Sequence, residues 1–420
     1  MSTTDPKYGV EEIMELLDVF NVSPVTAAKI RCLLLEDPNG PDGGVFFRYY
    51  NPRSKTAELE KRFAAHVGVK HVLAVNSGTS ALIAALVAAG VGPGDEVIVP
   101  AYTFFATASA VVVAKAIPVI ADIDETLSMC PAAVERLITP RTKAIMPVHM
   151  LGHPARMDAL CALAKKHNLV VIEDAAQACG GSFKGRYLGT WGDFGCISFD
   201  AYKIMGTGEG GALLTNDDFY YTRAQSYHDT AACWRPDRYG RERMSGELFC
   251  GENYRMNELA AAVGLAQLRR LDWTIARMRE RYHQIKNSLS LPPGIKWLTP
   301  ADENGVCGSN LAMLFDDEDY AVRAQKARLV GGNALKDTTG VRDWHMAWNW
   351  EHILEEKTAT EEGCPFRCPF VKERPQYTVD SWPQTRAIMR RLGVIGISPQ
   401  MTEQDAEAIV ERLQKGLATC

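Results

Sequence analysis

The alternation of short apolar runs with helical patterns between His71 and Asp174 constrains this chain more than any other feature. "HVLAV", "DEVIVP", "IPVIADI", "KAIMPVHM" and "LVVIED" have the length and β-branched content of strands. "GTSALIAALVAAG", "TFFATASAVVVA", "PAAVERLI" and "MDALCALAKKHN" separate them with helical patterns. Strands alternating with helices predict βαβ units and a mostly parallel sheet. The strands show no polar alternation, as expected where helices cover both faces. The fold class read from this pattern is α/β, with a mostly parallel central sheet covered by helices.

At 420 residues the chain exceeds the size at which one core stops growing, so a second domain is expected. Residues 1–45 read as an N-terminal helical arm, 46–280 as a large α/β domain, and 281–420 as a smaller C-terminal α+β domain. "KTAELEKRFAAHVG" predicts a helix burying Leu59, Phe63 and Val67 and closing at Gly68. "NELAAAVGLAQLRRLDWTIARMRERYHQI" reads as one long helix, and "TEQDAEAIVERLQKGL" as a C-terminal one.

The net charge of −5 suggests neither a nucleic-acid nor a membrane partner. The start lacks a basic segment followed by an apolar one, and the longest apolar stretch is broken by Lys115 and Pro118. A cytoplasmic protein is expected, with its 11 cysteines reduced. Cys364 and Cys368 are closely spaced but lack two further ligands at zinc spacing, so no metal is expected.

Ligands of open α/β sheets collect at the carboxyl ends of the strands. In "NSGTSAL" a strand runs into Gly78 and Thr79 at a helix start, which suits a phosphate and equally an ordinary N-cap. Asp174 ends the most apolar strand and Gln177 follows it; a carboxylate there suits a protonated heterocycle nitrogen or a helix cap. Lys203, after "FGCISF" and among Phe199, Tyr202 and Met205, reads as a partly desolvated amine able to act as a nucleophile, or as a surface lysine with a buried stem. Tyr102 follows another strand end and suits stacking on a flat ring, or core packing. Ser198, five residues before Lys203, adds a hydroxyl for a phosphate. Together these are the parts that pyridoxal 5'-phosphate (PLP) requires. His149 reads as structural.

From about Lys55 to Arg270 the chain resembles the DegT/DnrJ/EryC1/StrS family of PLP-dependent sugar aminotransferases, which have fold type I. The pieces that carry the resemblance are "NSGTSAL", "GPGDEVIVPAYTFFAT", "ITPRTKAIMPVHMLG", "IEDAAQACGG", "LGTWGDFGCISF", "KIMGTGEGGALLTND" and "GENYRMNELAAAVGLAQL". The resemblance implies that Lys203 bonds the cofactor covalently, Asp174 binds its ring nitrogen and Gln177 its ring hydroxyl. Tyr102 would stack on the ring, and Gly78, Thr79 and Ser198 would hold the phosphate. Asn253 would reach the cofactor phosphate of a neighbouring subunit, making a homodimer the minimal active unit. A dehydrating branch of the family carries histidine in place of the lysine, so Lys203 favours transamination from glutamate or glutamine to a sugar carbonyl.

"FFRYYNPRSKTAELEKRF", "DWHMAWNWEHI" and "KERPQY" are similar to a branch that aminates an oxidised 3-deoxyoctulosonate, an acidic sugar without a nucleotide. Arg48, Arg342, His345 and Trp348 would then line the acceptor pocket, with His228 touching substrate, though interface or surface roles fit the same residues. Alternatives are a nucleotide-linked keto sugar, a cyclitol ketone, and a catalytically idle PLP-binding regulator. The resemblance places the enzyme in cell-surface glycan synthesis, such as lipopolysaccharide, or in natural-product synthesis.

Overall fold

The computed structural model describes residues 8–38, 40, 53–231, 242–371 and 373–420. The first two helices, α1 (Val10–Val19) and α2 (Pro24–Glu36), bury none of their residues. Helix α3 (Lys55–Val67) follows the expected pattern. Ser54 caps it by accepting from Ala57 N at 3.2 Å, Gly68 closes it with φ 76°, and Leu59, Phe63 and Val67 form its buried face.

The central sheet contains β1 (His71–Val75), β2 (Glu96–Pro100), β3 (Ile117–Ala121), β4 (Thr142–Ile145) and β5 (Val170–Asp174). After the small hairpin β6 (Ser182–Phe183) and β7 (Arg186–Tyr187), it is completed by β8 (Phe194–Ser198) and β9 (Gly211–Thr215). Its order is β1-β9-β8-β5-β4-β2-β3. The run from β3 to β8 is parallel, and β9 lies antiparallel to both β8 and β1.

Alternate residues of each strand enter two different cores. Val171, Ile197 and Ala212 face one layer, with α3, α6 (Pro131–Leu137) and α7 (Met157–His167). Ile172, Cys196 and Leu213 face the other, with α4 (Gly78–Ala88) and α5 (Ala106–Val113). Both faces are therefore apolar, which is why the strands carry no polar alternation.

Beyond α8 (Asp218–His228), the long helix expected around residue 270 is two helices, α9 (Glu258–Leu268) and α10 (Leu271–Ser288). The break falls at exposed Arg269 and Arg270, the latter with φ −113° and ψ 6°. It lets α9 lie on α3 while α10 leaves to pack on the C-terminal helix. Periodicity runs through such a bend unchanged.

A second, antiparallel sheet contains β10 (Ile295–Trp297), β11 (Asn310–Phe315) and β12 (Leu392–Gly396). The same part of the chain contains α11 (Glu318–Lys326), α12 (Ala334–Thr339), α13 (Glu351–Leu354), α14 (Pro383–Met389) and α15 (Glu403–Leu417). Helix α15 opens where Thr402 and Asp405 cap one another. Between α12 and α13 the chain returns to the large sheet. Thr103 N donates to His345 O at 3.0 Å, and Ala347 N to Ala101 O at 3.0 Å.

The end of β5 is held by Glu173, which is wholly buried. Its carboxylate accepts from the amides of Gly189 (2.9 Å), Trp191 (2.6 Å) and Gly192 (2.7 Å), and from His149 Nε2 (3.1 Å). His149 Nδ1 accepts from Ala155 N at 3.0 Å, so Nε2 carries the proton, and the ring bridges two segments. The structural reading of His149 fits this geometry.

Glu173→Leu strands the buried amide of Gly189, at about 1–3 kcal/mol, and removes the partner of the part-buried amides of Trp191 and Gly192. It should lower unfolding stability by at least about 1–3 kcal/mol, measured by urea denaturation, with Glu173→Gln intermediate. An unchanged urea midpoint would refute this account of the strand end.

Candidate active site

The site assembles at the carboxyl ends of β1, β5 and β8. Helix α4 begins directly after β1. Ser77 Oγ accepts from Ser80 N at 3.0 Å, leaving the earlier helical amides, of Gly78 and Thr79, for an anion. Close approach here requires glycine. A Cβ on Gly78 would lie 2.7 Å from Ser198 Cβ, and one on Gly211 would lie 2.6 Å from Ser77 C and O. These two contacts bring the hydroxyl of buried Ser198 to the start of α4. Gly78, Thr79 and Ser198 are thus brought together as a cradle that larger residues would fill.

Asp174 emerges from β5 only 5% exposed. Its Oδ2 accepts from Thr107 Oγ1 at 2.8 Å and its Oδ1 from Ala176 N at 3.1 Å. Burial pushes its carboxyl above the ordinary range; the Thr107 and Ala176 hydrogen bonds and the charge of Lys203 oppose that shift. A carboxylate in this state is stabilised by a cation placed against it, and a protonated pyridine nitrogen is one.

Lys203 lies in the loop between β8 and β9, where Lys203 N donates to Asp200 O at 2.9 Å and Thr207 N to Phe199 O at 2.7 Å. Phe199 and Met205 are buried beneath it, but Tyr202 is 96% exposed and does not shield the amine, contrary to the sequence expectation. A tight turn points adjacent side chains in different directions. Lys203 is half-buried and borders a cleft of about 530 Å³ together with Gln267, Arg270, Trp273 and Gln400.

Gln177 Oε1 accepts from Leu151 N at 2.9 Å, which leaves Nε2 as the donor for a ring hydroxyl. Tyr102 is buried, and burial pushes its phenol up. Its ring lies 6.5 Å from that of His345, whose Nδ1 is 2.8 Å from Asp343 Oδ1. Asn253 is exposed, with Oδ1 accepting from Arg255 N at 3.3 Å, on a loop whose Tyr254 carbonyl accepts from Asn76 N.

His228 ends α8, and its Nδ1 turns back to Gln225 O at 2.7 Å. Burial pushes it down to about 4, and it borders a separate small cavity with Glu60 and Glu258. Arg342 is exposed and ion-paired with Glu351. Buried Trp348 lies 4.9 Å beneath the Arg386 guanidinium, and it lines with Arg342 a distinct hollow of about 350 Å³. Arg48 lies outside the described residues. Among the described residues no cluster of three His, Cys, Asp or Glu is arranged to hold a metal ion.

Sequence reading missed Thr107, Thr103 and Glu173. The threonines stand in "YTFFAT", one turn apart at the approach to α5; buried hydroxyls at a strand's carboxyl end were the available signal.

This fold, with a buried carboxylate at one strand end, a lysine in the loop after the neighbouring strand, and free helix amides and a hydroxyl beside them, is the fold type I architecture of PLP-dependent transferases. The chain belongs to the DegT/DnrJ/EryC1/StrS aminotransferase family, whose profile matches residues 48–331. It is 47% identical over 230 residues to a GDP-perosamine synthase of Caulobacter vibrioides, a match spanning 53% of this chain and only 58% of that protein. It is 35% identical to the spore coat polysaccharide biosynthesis protein SpsC of Bacillus subtilis, over 86% of this chain and 89% of the relative. Among solved structures, 3-amino-5-hydroxybenzoic acid synthase superposes with TM-score 0.69 at 30% identity, covering 87% of this chain and 91% of that one. S. venezuelae DesV superposes with TM-score 0.67 at 28% identity, covering 97% of each chain.

The raised carboxyl of Asp174 sets a pH test on the cofactor-free protein. A buried acid with a raised pKa penalises the folded state once it ionises. The penalty is absent below the unfolded value of about 4 and grows as pH rises through the folded value. The stability of Asp174→Asn relative to wild type should therefore improve between pH 4 and 8, read from urea midpoints across that range. A difference independent of pH would contradict this.

Proposed function

We propose that the protein is an aminotransferase moving an amino group from glutamate or glutamine to the carbonyl of a sugar, with a nucleotide-linked keto sugar as the acceptor class. The observation that carries the reading is Lys203, a lysine and not a histidine, within electrostatic reach of buried Asp174. The names of the GDP-perosamine synthases and of SpsC support a sugar acceptor.

PLP, when bound, supplies an electron sink for the carbon that loses its proton. Gly78, Thr79 and Ser198 would hold its phosphate, Asp174 its ring nitrogen, Gln177 its ring hydroxyl and Tyr102 its ring face. Lys203 Nζ would anchor the cofactor and, once displaced by the donor amine, take a proton from the donor carbon as base and return it as acid. Asp174, oriented by its two hydrogen bonds, would hold the ring-nitrogen proton in place. In a homodimer, Asn253 would reach toward the neighbouring site.

An acidic free-sugar acceptor draws no support from Arg342 and Trp348, which line a hollow separate from the Lys203 cleft. A cytoplasmic step in cell-surface glycan synthesis is part of the proposal; among the described residues no helix is long and apolar enough to cross a membrane.

Purified protein supplied with PLP should absorb in the visible range, and glutamate or glutamine should change that absorbance. Lys203→Ala should lower turnover by at least about 10²–10⁴-fold, the range for loss of a general acid–base. Consumption of donor should then be followed with nucleotide-linked keto sugars, an oxidised 3-deoxyoctulosonate and a cyclitol ketone. Turnover with only one of the latter two would replace the proposed acceptor. Absorbance inert to every donor would favour a regulatory protein instead.

A further inference from the structure

Asp174 is attached to a buried hydroxyl chain for which the roles above have no need. Thr107 Oγ1 lies 2.8 Å from Asp174 Oδ2 and 2.7 Å from Thr103 Oγ1. Thr107 gives its single proton to the carboxylate, so Thr103 must donate to Thr107. Both threonines are buried, at 0% and 1% exposure. The neighbours of Thr107 in α5 are apolar: Ala108, Ala110 and Val111 are buried in the same layer. Valine would fill the space of Thr107 without a polar group to satisfy, so the hydroxyl is accounted for by its partner rather than by packing. The amide of Thr103 in turn donates to His345 O at 3.0 Å, tying the chain to the segment that folds over Tyr102.

We propose that Thr107, backed by Thr103, is a positioning residue that fixes the carboxylate holding the PLP ring nitrogen. The proposal rests on the reading of Asp174 as that nitrogen's partner. With Thr107 on Oδ2 and Ala176 N on Oδ1, the carboxylate cannot rotate without breaking one of the two bonds, and one lone pair on each oxygen remains for the ring N–H. Without the hydroxyl, burial favours protonation of Asp174 itself, and a neutral carboxyl holds a pyridinium less strongly. Lys203 and His149 are the other charged or titratable groups acting on Asp174, and the Cys196 thiol lies within its field.

The test compares wild-type holoenzyme with Thr107→Val, Thr107→Ser, Thr103→Val and Asp174→Asn. PLP affinity is read by equilibrium dialysis, and the pH dependence of bound-PLP absorbance by titration. Thr107→Val should lose affinity about tenfold, the scale of one hydrogen bond to a charged group, and shift the absorbance profile. Thr107→Ser should return affinity to within about threefold of wild type, and Thr103→Val should move both readouts the same way by less. A purely structural role would move urea midpoints and leave both readouts alone. Wild-type affinity and profile in Thr107→Val, with both lost in Asp174→Asn, would overturn the proposal and spare the reading of Asp174. No effect in Asp174→Asn would overturn both. If Thr107→Val fails to fold, Thr103→Val decides: reduced PLP affinity supports the chain, and unchanged affinity refutes it.

Discussion

The carboxylate of Glu173 is the contact on which the site's geometry depends. An ionised group with no solvent exposure is expensive unless every lone pair is used. Four donors converge on it: three amides of one loop and the His149 ring. The loop before β8 and the segment after β4 are thereby tied to the end of β5. Side chains alternate along a strand, so Glu173 faces the layer of Val171 while Asp174 faces the layer of Ile172. The first residue anchors the strand end on one face; the second is presented on the other, toward α5 and Thr107.

From that anchored end the site is built by close approach. Gly78 against Ser198, and Gly211 against Ser77, bring strand ends and a helix start nearer than side chains would allow. The result places free helix amides, a buried hydroxyl, a buried carboxylate and a half-buried amine within one region. Each has a plain local cause, and their common location comes from the parallel sheet, which puts the carboxyl ends of β4, β5 and β8 on one edge.

Much of this is legible in the amino-acid sequence. The strands follow from short apolar runs set between helical patterns, and the buried face of α3 from periodicity, because packing against a layer imposes the period directly. Asp174, Gly78, Thr79 and Ser198 are legible because strand ends and helix starts leave a local signature. The break between α9 and α10 is not, since apolar spacing continues across Arg269 and Arg270 while the helix axis turns. Nothing local says whether a histidine at a helix end faces substrate or its own helix; His228 Nδ1 turns to Gln225 O in its own helix. The shielding expected of Tyr202 fails for a similar reason: in a tight loop, neighbours in sequence are not neighbours in space.

By itself the sequence determined the layered α/β plan, the family, and the residue types able to meet a phosphate, a pyridine nitrogen and an aldehyde. All of these are written in local pattern or in ordered motifs. Only the tertiary structure decided that Thr107, 67 residues before Asp174, donates to it, and that Glu173 rather than a neighbour anchors the strand end. It also decided that Trp348 and Arg342 line a hollow apart from Lys203. The physical reason is that hydrogen bonds and burial act over a few ångströms of space, and spacing along the chain carries no record of which distant segments the packing brings that close.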